Sequence, residues 1–327
     1  MNKSTNMLFM IMIIISVMIS ISSNSWFNIW MGMEINIMSF MPMIINKNNL
    51  TSKESSLMYF LIQTMASMLL IMSIMMMKVK LMHNNILMMS ALMMKSGVSP
   101  FHFWMPKMME GMNWKNCMML MPWQKIIPLS MMSSIIKMNM MNTSAIIMSI
   151  MVGAIGGLNQ TSLRKLMAYS SITNNGWMMM AMMVSEMMWL MYFIMYSIMT
   201  FIMTMTMNNY KIFHMNQLMS MNETPTKKLI LMMNMLSISG LPPMMGFLPK
   251  WMIIQSSLNQ NEIMLMITMV MITLITVFYY LRMMYSSMIL TSMDSKWKMK
   301  TMKNKFIMMI NMISLLGLSL MSLMMLM

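Results

Sequence analysis

Charge is scarce in this sequence. Only 9% of its 327 residues are Asp, Glu, Lys or Arg, and just 7 of those are acidic. An ordinary soluble domain is nearer a quarter charged, and a globule with so little would lack a water-facing surface. Lipid is therefore the expected solvent for most of the chain. Cysteine is almost missing as well. The single thiol, Cys117, excludes an internal disulfide and an iron–sulfur cluster, and it reads as a small packing residue. The three histidines, His83, His102 and His214, lie far apart and form no metal-ligand pattern. Haem ligation by two of them stays open, but no residue pattern stands behind it. No Gly-x-Gly-x-x-Gly opens a helix after a strand, and there is no Walker pattern. Chemical energy is thus expected from another subunit or from an ion gradient. No small-residue cleavage site follows Met1 to Asn6, so the first apolar run is expected to be retained.

What is abundant is methionine, 76 residues of it, beside six alanines and two arginines. A one-codon residue reaches such a level most simply in an AT-rich genome that reads ATA as Met, as animal mitochondria do. Methionine is flexible and fills apolar gaps, so the Met stripes read as lipid or core contacts and not as a copper site.

A membrane span needs about 20 mostly apolar residues, and such runs fill nearly the whole chain. Hydropathy and polar punctuation predict eleven spans, at 7–22, 26–46, 54–77, 85–104, 116–136, 142–160, 164–184, 187–207, 227–258, 261–285 and 305–327. The expected fold is an all-α polytopic membrane protein with one transmembrane domain over 1–327. Within it, 84–210 form a first broken-helix half with core spans, 227–285 a second broken-helix region, and 286–327 a loop and C-terminal span. Loop cations test the count. Lys3, Lys47, Lys53, Lys107, Lys115, Arg164, Lys165, Lys211, Lys227, Lys228, Lys296, Lys298, Lys300, Lys303 and Lys305 fall on one side, and Lys78, Lys80 and Lys137 on the other. By the positive-inside rule the N-terminus lies on the cytoplasmic or matrix side and the C-terminus opposite. The net charge of +15 is then mainly topological. Its dispersal over many loops argues against nucleic acid as a partner.

Two spans carry helix breakers. The fourth contains Gly97 and Pro100, and the ninth contains Gly240, Pro242, Pro243, Gly246 and Pro249. Proline removes a backbone donor and clashes with the preceding turn. Such breaks persist in lipid only where protein or trapped water satisfies the freed groups. Residues 96–107 and 239–250 align without gaps, sharing Ser, Gly, Pro, Pro and Lys. Five spans apart means opposite directions through the membrane, the signature of an inverted-topology repeat with an ion site at the breaks.

Glu34, Lys95, Lys125 and Lys250 sit inside predicted spans. A charge at the bilayer centre costs roughly 2.5–3.5 kcal/mol on insertion scales, so these residues are expected to face the bundle interior and mark a pathway. Lysine suits proton handling: desolvation disfavours an ammonium and a nearby carboxylate restores it. Glu34 is the expected partner of Lys95. Lys125, between Pro122 and Pro128, and Lys250, seven residues past a break, could instead snorkel to an interface. His102, in Phe-His-Phe-Trp, either relays protons between Lys95 and Lys125 or is a hydrogen-bonded structural imidazole. Arg282 is expected to be an interfacial anchor and Glu186 to be solvated. Ser170, Ser171, Thr173, Asn174 and Asn175 either hold water or bond neighbouring helices.

Several motifs occur in order: Trp30-Met31-Gly32-Met33-Glu34-Ile35-Asn36, Tyr59-Phe60-x-x-Gln63-x-x-Ala66-Ser67, Lys95-x-Gly97-x-x-Pro100-Phe101-His102-Phe103-Trp104, Trp123-Gln124-Lys125, Gly156-Gly157-x-Asn159-Gln160-x-x-x-Arg164-Lys165-x-x-Ala168-Tyr169-Ser170-Ser171, and Gly240-Leu241-Pro242-Pro243-x-x-Gly246-Phe247-x-Pro249-Lys250-Trp251. Up to about residue 285 the chain resembles the antiporter-like membrane subunits of mitochondrial NADH:ubiquinone oxidoreductase (complex I). That family is itself similar to multi-subunit sodium/proton antiporters. The resemblance implies an inverted-repeat antiporter-like fold of eleven helices, two of them discontinuous, in the mitochondrial inner membrane. It puts the N-terminus on the matrix side and the C-terminus on the intermembrane-space side. It also implies a proton path in which Glu34 and Lys95 sense a neighbouring subunit, Lys125 links the halves and Lys250 exchanges towards one face. FMN, iron–sulfur clusters and ubiquinone would lie in other subunits. Partners would be other antiporter-like and small membrane subunits of the complex, and lipids such as cardiolipin. A stand-alone cation/proton antiporter and a non-conducting scaffold are the competing readings, with quinone binding a weaker one.

Overall fold

Serine and threonine are frequent inside the apolar runs, and their hydroxyls turn back on their own helices. Ser16 donates to the Ile13 carbonyl at 2.7 Å, Ser73 to Leu70 at 2.6 Å and Thr276 to Thr273 at 2.6 Å. A polar side chain satisfied this way can sit in lipid or in a core without a partner helix. The computed structural model describes residues 3–46, 49–78, 84–220, 225–242, 244–258 and 262–289. These are almost entirely helical. No strand occurs among them, only an isolated antiparallel bridge between Ser162 and His214. The eleventh expected span at 305–327, with Lys296, Lys298, Lys300 and Lys303 before it, lies outside the described residues, as do Lys47, Lys80, His83 and Pro243.

The chain divides into two compact units, Met1–Ala145 and Ile146–Met327. The first contains α1 (Lys3–Ser22), α2 (Trp26–Ile44), α3 (Leu50–Lys78), α4 (Asn84–Ser96), α5 (Trp104–Gly111), α6 (Trp114–Leu120), the 3-10 turn η1 (Trp123–Lys125) and α7 (Ile126–Ile135). Here α2 packs between α1 and α3, α3 supports both α4 and α5, and α7 lies against α4 and α1. The second unit takes most of α8 (Met140–Gly157), then α9 (Leu163–Val184), α10 (Glu186–Tyr210), α11 (Met215–Met219), α12 (Pro225–Ser239), α13 (Phe247–Leu258) and α14 (Ile263–Ile289). In it α10 packs on α9, α12 and α13, and α14 closes over α12, α11 and α13. Backbone bonds from Leu163 to Phe213 and from Met215 to Thr161, each 3.0 Å, stitch the loop after α8 to the loop after α10.

The polarity of these helices is reversed relative to a soluble bundle. Beyond its polar first turn, α3 exposes Leu57, Leu61, Met65, Met68, Leu69, Met72 and Met75, mostly in a stripe of helical period. Tyr59, Gln63 and Ser67 on another face are buried. Apolar outside and polar inside is the arrangement a lipid solvent selects. Five described helices are long and apolar enough to cross a membrane: Ser4–Ser22, Leu50–Met77, Met140–Gly157, Glu186–Tyr210 and Ile263–Met288. Others in the expected spans are divided into shorter pieces, or are rich in polar residues as α9 is.

Candidate functional site

Both predicted breaks are built by the same backbone device. In the first, α4 ends at Ser96 and Gly97 takes φ +73°, while the Val98 amide bonds back to the Met93 carbonyl at 3.0 Å. In the second, α12 ends at Ser239 and Gly240 takes φ +82°, while Leu241 bonds back to Leu236 at 3.5 Å and Gly240 to Ser237 at 3.1 Å. A glycine in the left-handed region with this six-to-one bond is a Schellman cap, and glycine enters that region without the penalty a Cβ brings. The turns continue alike, Phe101 to Val98 at 2.9 Å and Met244 to Leu241 at 2.8 Å. Pro100 and Pro242 sit exposed in these turns, and the chains resume as α5 and α13. The aligned lysines diverge: Lys107 is exposed, whereas Lys250 is buried.

The carbonyls released at the first break find donors of different kinds. The Trp104 indole donates to the Met94 carbonyl at 3.1 Å, and the Gln63 amide to the Lys95 carbonyl at 3.3 Å. Lys95 itself occupies the last turn of α4, where a cation complements the helix dipole. It is only 5% exposed, and its ammonium rests on the Met33 sulfur at 3.2 Å. A thioether is a weak acceptor. Glu34, the next residue on α2, is half-buried and close enough to act electrostatically on both Lys95 and Tyr59. No hydrogen bond or ion pair joins Glu34 to Lys95 among the described residues. The carboxylate acts on the ammonium through space.

Lys125 closes the turn η1 and is 2% exposed, so its side chain stays inside the chain. The expected span at 116–136 is not one helix. It is α6, a 3-10 turn with the Lys125 amide bonded to the Pro122 carbonyl at 3.1 Å, and then α7. Pro122 has no N–H to offer the preceding turn, which makes this a third interruption that the sequence reading did not place. A 3-10 stretch in mid-span is a frequent mark of a hinge or of strain. Beside it, the Tyr59 hydroxyl donates to Gln124 Oε1 at 3.2 Å, and Gln124 Nε2 donates to Asn36 Oδ1 at 3.0 Å. His102 is buried in the first break, where its ring contacts Phe103 at 4.1 Å and Nδ1 pairs with the Pro100 carbonyl at 3.3 Å. It has no described hydrogen bond to Lys95 or Lys125.

Lys250 belongs to the second unit. It lies in the first turn of α13, 7% exposed, and its ammonium donates to the Ser239 carbonyl at the end of α12 at 2.7 Å. The Trp177 ring lies 5.7 Å away, within cation–π range. Gly246 brings the backbone close here: a Cβ on it would fall 1.8 Å from the Ser237 carbonyl oxygen. Ser170, Ser171, Thr173, Asn174 and Asn175 of α9 are all buried, and Tyr192 donates to Asn174 Oδ1 at 2.9 Å. Asn174, Tyr192, Tyr196, Ser237, Gly246 and Pro249 line a cavity whose room for a water is about 20 Å³. One water needs roughly 10–15 Å³. Elsewhere in this unit, exposed Arg282 donates to the Leu158 carbonyl, and Glu186 is exposed in the first turn of α10.

The structure thus places Glu34, Lys95, Lys125 and His102 in the first unit and Lys250 in the second. Asn36, Tyr59, Gln63, Gln124 and Trp177 are the side chains that sequence reasoning did not assign a role. The four-residue spacing of Tyr59 and Gln63, two polar groups on one face of an apolar helix, was a usable signal. Among the described residues no cluster of His, Cys, Asp or Glu has metal-site geometry.

The chain matches the family described as NADH:quinone oxidoreductase/Mrp antiporter, TM, over residues 23–79 and 78–276. It is 48% identical over 307 residues to NADH-ubiquinone oxidoreductase chain 2 of Aedes aegypti, covering 91% of this chain and 90% of that one. It is 44% identical over 310 residues to the chain 2 of Anopheles gambiae, covering 92% and 91%. Among solved structures it superposes on a chain of respiratory complex I from Thermus thermophilus with a TM-score of 0.83 at 17% identity, covering 97% of this chain and 79% of the other. A chain of the Mrp complex from Dietzia sp. gives a TM-score of 0.80 at 13% identity, covering 96% and 75%. The antiporter-like membrane fold is shared with these solved structures, and this chain belongs to the NADH-ubiquinone oxidoreductase chain 2 family within the wider NADH:quinone oxidoreductase/Mrp antiporter transmembrane group.

Proposed function

We propose that this chain is a core membrane subunit of proton-translocating NADH-ubiquinone oxidoreductase, and that Glu34, Lys95, Lys125 and Lys250 carry protons through it. One observation carries the assignment of residues: three lysines, each under 8% exposed, lie beside an interrupted helix inside an apolar chain. Buried ammonium groups in such surroundings are expensive. They are retained where changing their charge does work. His102 sits within the first break and lends an imidazole nearby, although its described bond favours an anchoring role.

The family implies eleven spans, with the helices broken at Gly97 and at Gly240 related by inverted topology. It also implies a multi-pass location in the mitochondrial inner membrane, N-terminus towards the matrix. The repeated Schellman caps and the loop-cation bias support that reading. The redox chemistry, with its FMN, iron–sulfur clusters and ubiquinone, belongs to other subunits of the complex. Neighbouring antiporter-like and small membrane subunits, and lipids such as cardiolipin, are the partners.

The test is a proton count on the intact complex in sealed vesicles. With Glu34→Gln or Lys95→Met, we expect the complex to assemble and the protons moved per electron pair to fall. A full proton ratio in both variants would reject these residues as carriers and leave a scaffold. A stand-alone antiporter would instead exchange cations for protons without NADH-oxidising subunits copurifying.

A further inference from the structure

The proton reading gives no role to four polar side chains in the interior of the first unit. Asn36, Tyr59 and Gln63 are buried and Gln124 is half-buried. Their bonds converge on α3. Tyr59 and Gln63 are four residues apart on one helix face. Gln63 donates to the Lys95 carbonyl at the end of α4. Tyr59 donates to Gln124, the residue before Lys125, and Gln124 passes a second bond to Asn36, two residues after Glu34. One face of α3 therefore holds both distorted segments of this unit that carry a lysine, and the Gln124 amide ties the second of them to the helix bearing the carboxylate.

We infer that Tyr59, Gln63, Gln124 and Asn36 form a positioning bridge that sets the places of Lys95 and Lys125 relative to Glu34, with Gln124 its central member. The bridge positions and does not conduct, because Asn36, Gln63 and Gln124 are primary amides, which donate and accept hydrogen bonds without titrating, and the Tyr59 phenol only donates to one of them. Gln124 suits this role because it must accept from a phenol and donate to an amide oxygen at once. A 3-10 turn flanked by Pro122 and Pro128 has few backbone bonds of its own to fix it. Fixing matters, since a misplacement of about 1 Å can slow a positioned reaction about 100-fold.

This inference rests on the proton-carrier reading, and the test separates the two. The intact complex is prepared in vesicles with Gln124→Met, Tyr59→Phe, both together, and Lys125→Met as reference. Turnover, protons per electron pair and the pH profile of pumping are measured for each. We expect Gln124→Met to keep NADH:quinone turnover, to lower the proton ratio towards that of Lys125→Met, and to take on the pH profile of Lys125→Met. Tyr59→Phe should move the same way and add little to Gln124→Met, because the two share one bond. A general loss of packing would lower turnover without reshaping the pH profile, and that outcome too overturns the bridge. If Lys125→Met lowers the ratio while Gln124→Met and Tyr59→Phe keep the wild-type ratio and profile, the bridge is overturned and the carriers stand. If Lys125→Met itself pumps normally, the carrier reading fails and the bridge with it. Should Gln124→Met fail to assemble, Tyr59→Phe removes only a hydroxyl and decides by the same readouts.

Discussion

A buried amide does more than fill space, and the side chains around Lys95 show how. The Lys95 carbonyl, released by the Gly97 cap, is taken by Gln63 at 3.3 Å. Replacing Gln63 with Met keeps the length and removes the donor. The orphaned carbonyl should then cost about 1–3 kcal/mol, read as earlier thermal inactivation of the assembled complex, with Gln63→Glu a poor substitute because an ionised carboxylate donates nothing. The charged residues themselves were legible in the sequence because Lys and Glu stand out in an apolar run. Their neighbours were not. Tyr59 and Gln124 are 65 residues apart, and Asn36 and Gln124 are 88 apart, and no periodicity encodes which of two distant polar groups will meet. The same holds for Trp177, an ordinary buried aromatic until Lys250 is placed over its ring.

At the level of helices, the breaks depend on two different uses of glycine. Gly240 needs its left-handed conformation, and a Cβ there would also meet the Lys250 side chain at 2.9–3.1 Å. Gly246 needs only room against the Ser237 carbonyl. Gly240→Ala should cost about 1–2 kcal/mol for the backbone and displace Lys250, so pumping should suffer at temperatures where the complex still holds together. Gly246→Ala must move backbone to relieve its clash, and should lower assembly yield before any change in the proton ratio can be measured. Blue native electrophoresis beside a pumping assay distinguishes the two outcomes. The Gly97 and Gly240 interruptions were legible because glycine and proline cluster there. The turn at Trp123–Lys125 was read as part of a continuous span, since two isolated prolines are compatible with either a kinked helix or a broken one.

Over the whole molecule, what sequence reading captured was solvent, through apolar runs too long for a core. The division at Ala145 and Ile146 was not visible, because the chain passes through it inside α8. Orientation is open to direct measurement. Lys211 and Lys137 are both exposed, on loops assigned to opposite sides, while Cys117 is buried. With Lys211→Cys, a membrane-impermeant thiol reagent should label the protein from the matrix side only. With Lys137→Cys it should label from the intermembrane-space side only. Labelling of both from one side would discard the eleven-span topology.

The outward stripe on α3 has a bearing on how such a chain can change over time. Met65, Met68, Met72 and Met75 are exposed on this chain, and exchange among unbranched and branched aliphatics there alters little of its internal packing. A drift in nucleotide composition can therefore rewrite that side of the helix at little cost to the packing of this chain, while replacing buried Tyr59 or Gln63 removes a hydrogen bond. In an AT-rich genome that reads ATA as Met, methionine would collect on such a side.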